Sequence, residues 1–388
     1  MQKTFSSRKR VIILGATGSI GDSTFRVIDA SPERFEVVGL SAHHNQDKLA
    51  ALTRRYAPQA IALTGIDAIT DDGLKTPAIC YAGENAALDL LDHDADIVVA
   101  AMVGAAGIAP VMKALELGRT VIFANKEALV CAGALMMEAC KTYGGKLLPA
   151  DSEHNAIFQA LHGADIDTIS HITLTASGGP FLNLPLEAFA SVTPEQAVAH
   201  PKWSMGAKIS IDSATMMNKG LEIIEARWLF DMPQTRIDVV IHPEAIIHGF
   251  VQYHDGSSIA QMGEPDMTIP LSYCLHYPDR GKSNKPRLDL AKIRTMNFYE
   301  VDKKRFPALS LARSVLDSTM AASIAFNAAN EVAVAAFLQK HILFTDIVPH
   351  VSKAVHAFSK EHIESIEDVL ELDKRIRIFS DNILKKAA

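Results

Sequence analysis

The chain has 388 residues, enough for two or three domains at roughly 100–200 residues each. Hydrophobic residues make up 48% and charged residues 21%, which excludes a disordered chain. Lys and Arg number 38 against 45 Asp and Glu; the net charge of −7 argues against a nucleic-acid partner, and any anionic ligand must be held by a local cluster of donors.

The first 150 residues alternate strand and helix. Apolar runs at 11–14, 35–40, 59–64, 96–101, 120–124 and 146–150 read as strands. Helical patterns at 19–30, 47–56, 84–93, 107–117 and 127–143 lie between them. Strands apolar on both faces predict a parallel sheet covered by helices, and right-handed crossovers make it a doubly wound, Rossmann-like α/β domain. Residues 151–276 mix strands at 171–176, 237–242, 246–253 and 258–262 with a long helix near 213–230. That predicts a central α+β catalytic domain with an antiparallel portion. Residues 277–304 read as a polar linker, and helical segments at 308–316, 323–339, 346–359 and 366–387 predict a C-terminal helical bundle over 305–388. The longest uncharged apolar run, 97–112, is shorter than the ~20 residues of a membrane helix and is broken by Gly104, Gly107 and Pro110, so no membrane partner is expected. Four scattered cysteines without a CxxC fit a reducing cytoplasm.

Gly15-Ala16-Thr17-Gly18-Ser19-Ile20-Gly21 follows the first strand and opens a helix. Glycines there permit a tight turn and close backbone approach, and the helix N-terminus attracts a pyrophosphate, so a dinucleotide is expected. An NAD site would place a carboxylate at the end of the second strand. No acid appears until Asp47, while Ser41, His43, His44 and Asn45 could hydrogen-bond a 2′-phosphate, which favours NADP. The plainer reading makes the two histidines solvated loop residues.

Asp151-Ser152-Glu153 follows the last strand of this domain. If extended, Asp151 and Glu153 point to one side and form half of a hard-metal site. If helical, Asp151 or Ser152 caps a helix, and the residues taken alone favour the cap. On a helix, Asn218 and Glu222 share a face with Lys219 adjacent. Amide, ammonium and carboxylate could hold a phosphate and a cation together; the alternative is a surface Lys219–Glu222 pair. Gly220 costs roughly 1 kcal/mol against alanine, which argues against a purely structural helix. Ser177-Gly178-Gly179-Pro180 could present a hydroxyl and N–H groups to an anion, or be a plain turn. The segment 200–206, His-Pro-Lys-Trp-Ser-Met-Gly, suits a lid, or a turn anchored by a buried Trp.

In this order the motifs resemble the 1-deoxy-D-xylulose 5-phosphate reductoisomerase family. The resemblance rests on the runs at 15–21, 124–127 (Ala-Asn-Lys-Glu), 151–159, 177–181, 200–206 and 208–222, extended by 263–267 and 326–331. It covers the chain apart from the first few residues and the last helix. It implies an NADPH-binding domain, a central domain with a mobile loop, a linker and a helical bundle, assembled as a homodimer. It implies a small sugar-phosphate substrate and an oxidoreductase that uses NADPH with Mn²⁺ or Mg²⁺ early in isoprenoid-precursor synthesis.

Carried over by motif, Thr17, Gly18, Ser19, Ile20, Asn125, Glu127 and Gly206 would meet the cofactor, and His43, His44 and Asn45 join them from the reading of the second strand above. Asp151, Glu153 and Glu222 would bind the metal, and with Lys126 would form the catalytic set. Ser177, His200, Ser213, Asn218 and Lys219 would line the phosphate-bearing end of the substrate. Lys126, Ser152, Glu153 and Glu222 would lie by its reactive oxygens. Lys202 stands where the family usually has Asn. His43 and His44 stand where it often has Gly and then Lys or Arg, which implies weaker 2′-phosphate recognition, since imidazole is a poorer phosphate partner than a permanent cation. Two other readings fit the glycine turn alone: an ordinary NADP dehydrogenase, and a nucleotide-sensing regulator. The regulator would not need intact Asp151, Glu153 and Glu222.

Overall fold

Seven short strands run parallel in the computed structural model, which describes residues 8–67, 76–203, 205–282, 285 and 287–387. They are β1 (Lys9–Leu14), β2 (Phe35–Ala42), β3 (Ala60–Leu63), β4 (Ile79–Ala82), β5 (Ile97–Ala100), β6 (Thr120–Phe123) and β7 (Lys146–Pro149). Their spatial order is β4-β3-β2-β1-β5-β6-β7, and each neighbouring pair is parallel. Chain order reverses between β1 and β5, the switch point where doubly wound sheets bind ligands. Val11 to Leu14, β3 and β5 are buried at every residue, because helices cover both faces. In chain order the helices here are α1 (Ser19–Ala30), α2 (Gln46–Tyr56), α3 (Ala86–Leu90) and α4 (Ile108–Glu116), and then α5 (Lys126–Tyr143) and α6 (Ser152–Ala160). β4 was not anticipated: it lies at the sheet edge with Ile79 and Cys80 exposed, so it lacks the doubly buried run that marks the others.

The chain divides into two compact units. One holds residues 1–125, 136–155 and 266–287; the other holds 126–135, 156–265 and 288–388. In the second unit β8 (Ile169–Ala176), β9 (Ile237–Ile241), β10 (Ile247–Tyr253) and β11 (Ser258–Met262) form a sheet in the order β11-β10-β8-β9. β10 is antiparallel to both neighbours and β8 is parallel to β9, so the sheet is mixed. After the short α7 (Pro194–Ala197) come α8 (Ala207–Thr215) and α9 (Met217–Leu229). The single helix expected near 213–230 is therefore two. Met216 at φ +62° adopts the left-handed conformation, which ends one helix and starts the next. Ile172, Leu174, Ile223, Phe230, Ile237 and Val251 form a buried core under this sheet.

α10 (Thr268–His276) belongs to the first unit, where it packs on α1. The short α11 (Leu290–Ile293) precedes the bundle of α12 (Pro307–Leu316), α13 (Met320–Leu338), α14 (Ile347–Phe358) and α15 (Ile366–Ala387). α13 lies at its centre, against the other three. This helix has the length and mean hydropathy (1.4) of a membrane span, yet 78% of its apolar window is buried in the fold, as expected of a core helix.

Candidate active site

The glycine-rich turn lies between β1 and α1, at the carboxyl end of the sheet. Gly15 has φ +80°, and a Cβ there would stand 2.5 Å from the Ala101 carbonyl oxygen. Gly18 caps α1 with no side chain in the way, and Gly18 and Ser19 are exposed at the helix N-terminus. Thr17 and Ile20 are half-buried beside them. The turn is braced from β2: Ser41 Oγ accepts the Gly15 N–H at 3.0 Å, and the Ser41 carbonyl accepts the Ala16 N–H at 2.7 Å. Ser41 is buried behind the turn, whereas His43, His44 and Asn45 after it are exposed.

His43 and His44 are exposed just past β2, their rings 3.9 Å apart. Asn45 caps α2 by accepting the Lys48 N–H. Lys48, which the sequence reading missed, reaches back to the Thr17 carbonyl at 3.0 Å and to Asp22 at 2.8 Å. Asn125 follows β6, is buried, and donates to the Gly104 carbonyl at 2.9 Å.

α6 begins at Ser152, so the local structure is the cap and not the extended strand. The Asp151 carbonyl accepts the Asn155 N–H at 2.8 Å, and its side chain accepts the Ser152 N–H at 3.0 Å. Ser152 donates to Glu153 at 2.5 Å. Two carboxylates thus stand on the first turn of a helix, whose dipole favours negative charge.

In the second unit, α5 and α9 assemble a buried polar cluster. Lys126 donates to Asn218 Oδ1 and Glu222 Oε1, each at 3.0 Å. Asn218 donates to the same oxygen of Glu222, and Lys219 donates to the other. The Lys219 and Glu222 side chains are 3% and 1% exposed, so the surface-pair alternative is ruled out. Two ammonium groups and an amide converge on one carboxylate, in a site that water scarcely reaches. Gly220 has a packing reason: a Cβ there would meet Phe326 at 2.9 Å and Ala312 at 3.1 Å, so glycine lets α9 close on α12 and α13. Gly220 is thus a structural glycine, contrary to the expectation from its helix propensity.

Ser177, His200 and Ser213 lie in the same unit. Gly178 and Gly179 follow β8 with φ of +82° and +66°, and a Cβ on Gly179 would come within 2.8 Å of the Ser213 carbonyl. The turn after Ser177 is thereby laid against α8. His200 Nδ1 accepts the N–H groups of Lys202 and Trp203 at 3.2 and 2.9 Å. That nitrogen must be unprotonated, so the network assigns the proton to Nε2, which donates to Ser177 Oγ at 3.0 Å. Burial holds the imidazole below its ordinary pKa. Gly179 N–H also donates to Ser177 Oγ, which leaves the hydroxyl proton to point at a ligand. Trp203 is half-buried with its ring 6.3 Å from His248; Ser204 lies outside the described residues; Gly206 caps α8.

Glu127, on the first turn of α5, accepts from Lys208 of α8 at 2.7 Å. Burial pushes the Glu127 carboxyl up, but Lys208 outweighs it and holds the group below the usual carboxylate range. The sequence reading missed Lys208. The signal was a lysine in the first turn of a helix, where the dipole disfavours it.

A doubly wound sheet with a glycine turn at its switch point, and a buried lysine–amide–carboxylate cluster, define a nucleotide-dependent oxidoreductase. Family profiles described as 1-deoxy-D-xylulose 5-phosphate reductoisomerase match residues 11–133, and as its C-terminal domain residues 147–230 and 262–379. The reductoisomerase of Paraburkholderia xenovorans (strain LB400) is 48% identical over 384 residues, covering 95% of this chain and 94% of that protein. That of Geotalea daltonii is 47% identical, covering 94% and 96%. A crystal structure of DOX-P reductoisomerase with NADPH, fosmidomycin and magnesium superposes with a TM-score of 0.92 at 40% identity, covering 97% of this chain and 98% of that one. The Zymomonas mobilis enzyme in complex with NADPH gives 0.91 at 41% identity, covering 97% and 99%. The chain belongs to the 1-deoxy-D-xylulose 5-phosphate reductoisomerase family.

Proposed function

We infer that this chain converts 1-deoxy-D-xylulose 5-phosphate to 2-C-methyl-D-erythritol 4-phosphate with NADPH and Mg²⁺ or Mn²⁺, as a cytoplasmic homodimer. The observation that carries the reading is the buried cluster of Lys126, Asn218, Lys219 and Glu222, which gathers the ammonium, amide and carboxylate groups that a sugar phosphate and a hard cation need. Asp151, Glu153 and Glu222 are the proposed metal ligands. A donor set of carboxylates without sulfur fits a hard cation and not zinc. Glu222 would hold the cation with the same two oxygens that accept from Lys126 and Lys219, and those ammonium groups would then serve the substrate.

When bound, the metal polarises the ketone and hydroxyl oxygens of the sugar during rearrangement, and NADPH supplies the hydride. The chain's own residues position and shield. Ser177, Ser213, Asn218 and Lys219 grip the phosphate as a remote handle, with His200 orienting Ser177. Lys126 and Ser152 approach the reacting oxygens. The segment 200–206 folds over the substrate and excludes water. Thr17 to Ile20 cradle the pyrophosphate, His43, His44 and Asn45 face the 2′-phosphate, and Asn125, Glu127 and Gly206 meet the rest of the cofactor. Cys131, Cys140 and Cys274 are thiols outside any disulfide, in keeping with a reducing compartment.

The test is NADPH oxidation with 1-deoxy-D-xylulose 5-phosphate, with and without Mn²⁺. Turnover that needs both the sugar and the ion supports the reading; metal-independent turnover, or none, refutes it. Light scattering of the purified protein gives the dimer directly.

A further inference from the structure

Lys208 sits in the first turn of α8, directly after the segment 200–206. A cation there is opposed by the helix dipole, so something must hold it. Three groups do. Its ammonium donates to Glu127 on α5 at 2.7 Å and lies 2.9 Å from Asp212 Oδ2 in its own helix. Asp212 is 1% exposed and accepts from Asn330 of α13 at 2.7 Å. Burial works against the lysine's charge, but Asp212, Glu127 and Glu331 more than offset it and keep the ammonium ionised. Glu331 is tied in turn to Arg377 of α15 at 2.8 Å. A continuous polar chain therefore runs from the first turn of α5, through α8, into the C-terminal bundle. Removing Lys208 would leave Glu127 and Asp212 as two neighbouring acids with no shared cation.

Glu127 follows Lys126 directly, and the two side chains leave the same helical turn for different partners. Lys126 goes to α9 and Glu127 to α8. We propose that Lys208 is a positioning residue for nucleotide binding: by fixing the Glu127 carboxylate it orients the first turn of α5 for NADPH, and it ties the start of α8 to that turn. The inference rests on the reading of Glu127 as a cofactor contact.

The test is a double-mutant cycle on the full-length protein, read as dissociation constants for NADPH and, separately, as kcat and KM. Lys208→Met weakens NADPH binding about tenfold, the size of one charge-assisted hydrogen bond, and Glu127→Gln does so by a similar factor. The double variant binds no more weakly than either single one, because both remove the same interaction. Lys208→Arg, which keeps the charge, recovers most of the affinity. A merely structural lysine would lower thermal stability and leave NADPH affinity alone. Unchanged affinity in Lys208→Met, or fully additive losses in the double variant, overturns the proposal. If Lys208→Met does not fold, Lys208→Gln carries the same cycle. A parent protein that binds NADPH but does not turn the sugar phosphate over removes the functional reading. It leaves this inference standing or falling on the binding cycle alone.

Discussion

His200 Nε2 lies 3.0 Å from Ser177 Oγ, while the other ring nitrogen takes two backbone N–H groups from its own loop. One protonation state serves both ends. A second proton on the ring would turn Nδ1 from acceptor to donor and break the bonds to Lys202 and Trp203. Burial lowers the folded-state pKa of His200 from its ordinary 6.5. Between that lowered value and the ordinary one, the unfolded loop binds a proton that the folded loop refuses. Stability of the loop is therefore complete above the ordinary value and is lost as pH falls below it. Hydrogen exchange at the amides of Lys202 and Trp203, corrected for intrinsic rate, should show less protection at about pH 5 than at about pH 7.5. Equal protection at both would show that the ring does not brace the turn.

Glu222→Gln tests the proposed metal ligand. It keeps the shape of a residue 1% exposed but withdraws the counter-charge of Lys126 and Lys219. The expected result is loss of metal-dependent turnover with NADPH affinity preserved. Folding stability should drop by roughly 1.5–3 kcal/mol, the scale of a hydrogen bond to a charged group. Near-normal turnover at ordinary Mn²⁺ would remove Glu222 from the ligand set.

Nucleotide choice should respond to a single exposed position. The His44 ring packs over Gly65, where a Cβ would come within 2.2 Å, and offers no permanent charge. His44→Arg should raise affinity for NADPH about three- to tenfold and leave NADH unchanged, because only the former carries the 2′-phosphate. Parallel fluorescence titrations with the two nucleotides decide it, and an equal gain for both would place the 2′-phosphate elsewhere.

Gly220→Ala sets two effects against each other. Alanine gains about 1 kcal/mol of helix propensity. Its methyl would stand 2.9 Å from Phe326 and 3.1 Å from Ala312, and overpacking of that kind costs about 1–3 kcal/mol. Both neighbours are buried, so the clash should win and the melting temperature should fall. A rise would mean that the packing between α9 and α13 is loose.

What the sequence reveals follows from how local each cause is. The parallel sheet is legible because Val11 to Leu14 and Ile97 to Ala100 are buried on both faces, which leaves unbroken apolar runs. The glycine turn is legible because only glycine tolerates the conformation at Gly15. β4 is not, since an edge strand needs no such run. The break at Met216 is not, since nothing in a methionine announces a left-handed backbone. Asn218, Lys219 and Glu222 could be grouped from helical spacing alone, whereas their partner Lys126 stands 92 residues before Asn218 and came only through family resemblance. The pairing of Lys208 with Asp212 in one helix is local, but Asp212 is buried against Asn330, 118 residues beyond it, which no local pattern announces.

The break at Met216 carries a consequence for how this chain can change over time. Lys126 and Glu127 are consecutive residues about 100° apart around α5, yet one is bonded to α9 and the other to α8. Met216, in the left-handed conformation, sets the angle at which α8 hands over to α9. Adding or deleting one residue anywhere from 208 to 222 would swing one set of partners out of reach while the other stayed put. That stretch behaves as a ruler of set length. Surface loops can lengthen or shorten without harm, but this run admits exchange of side chains and no change in count.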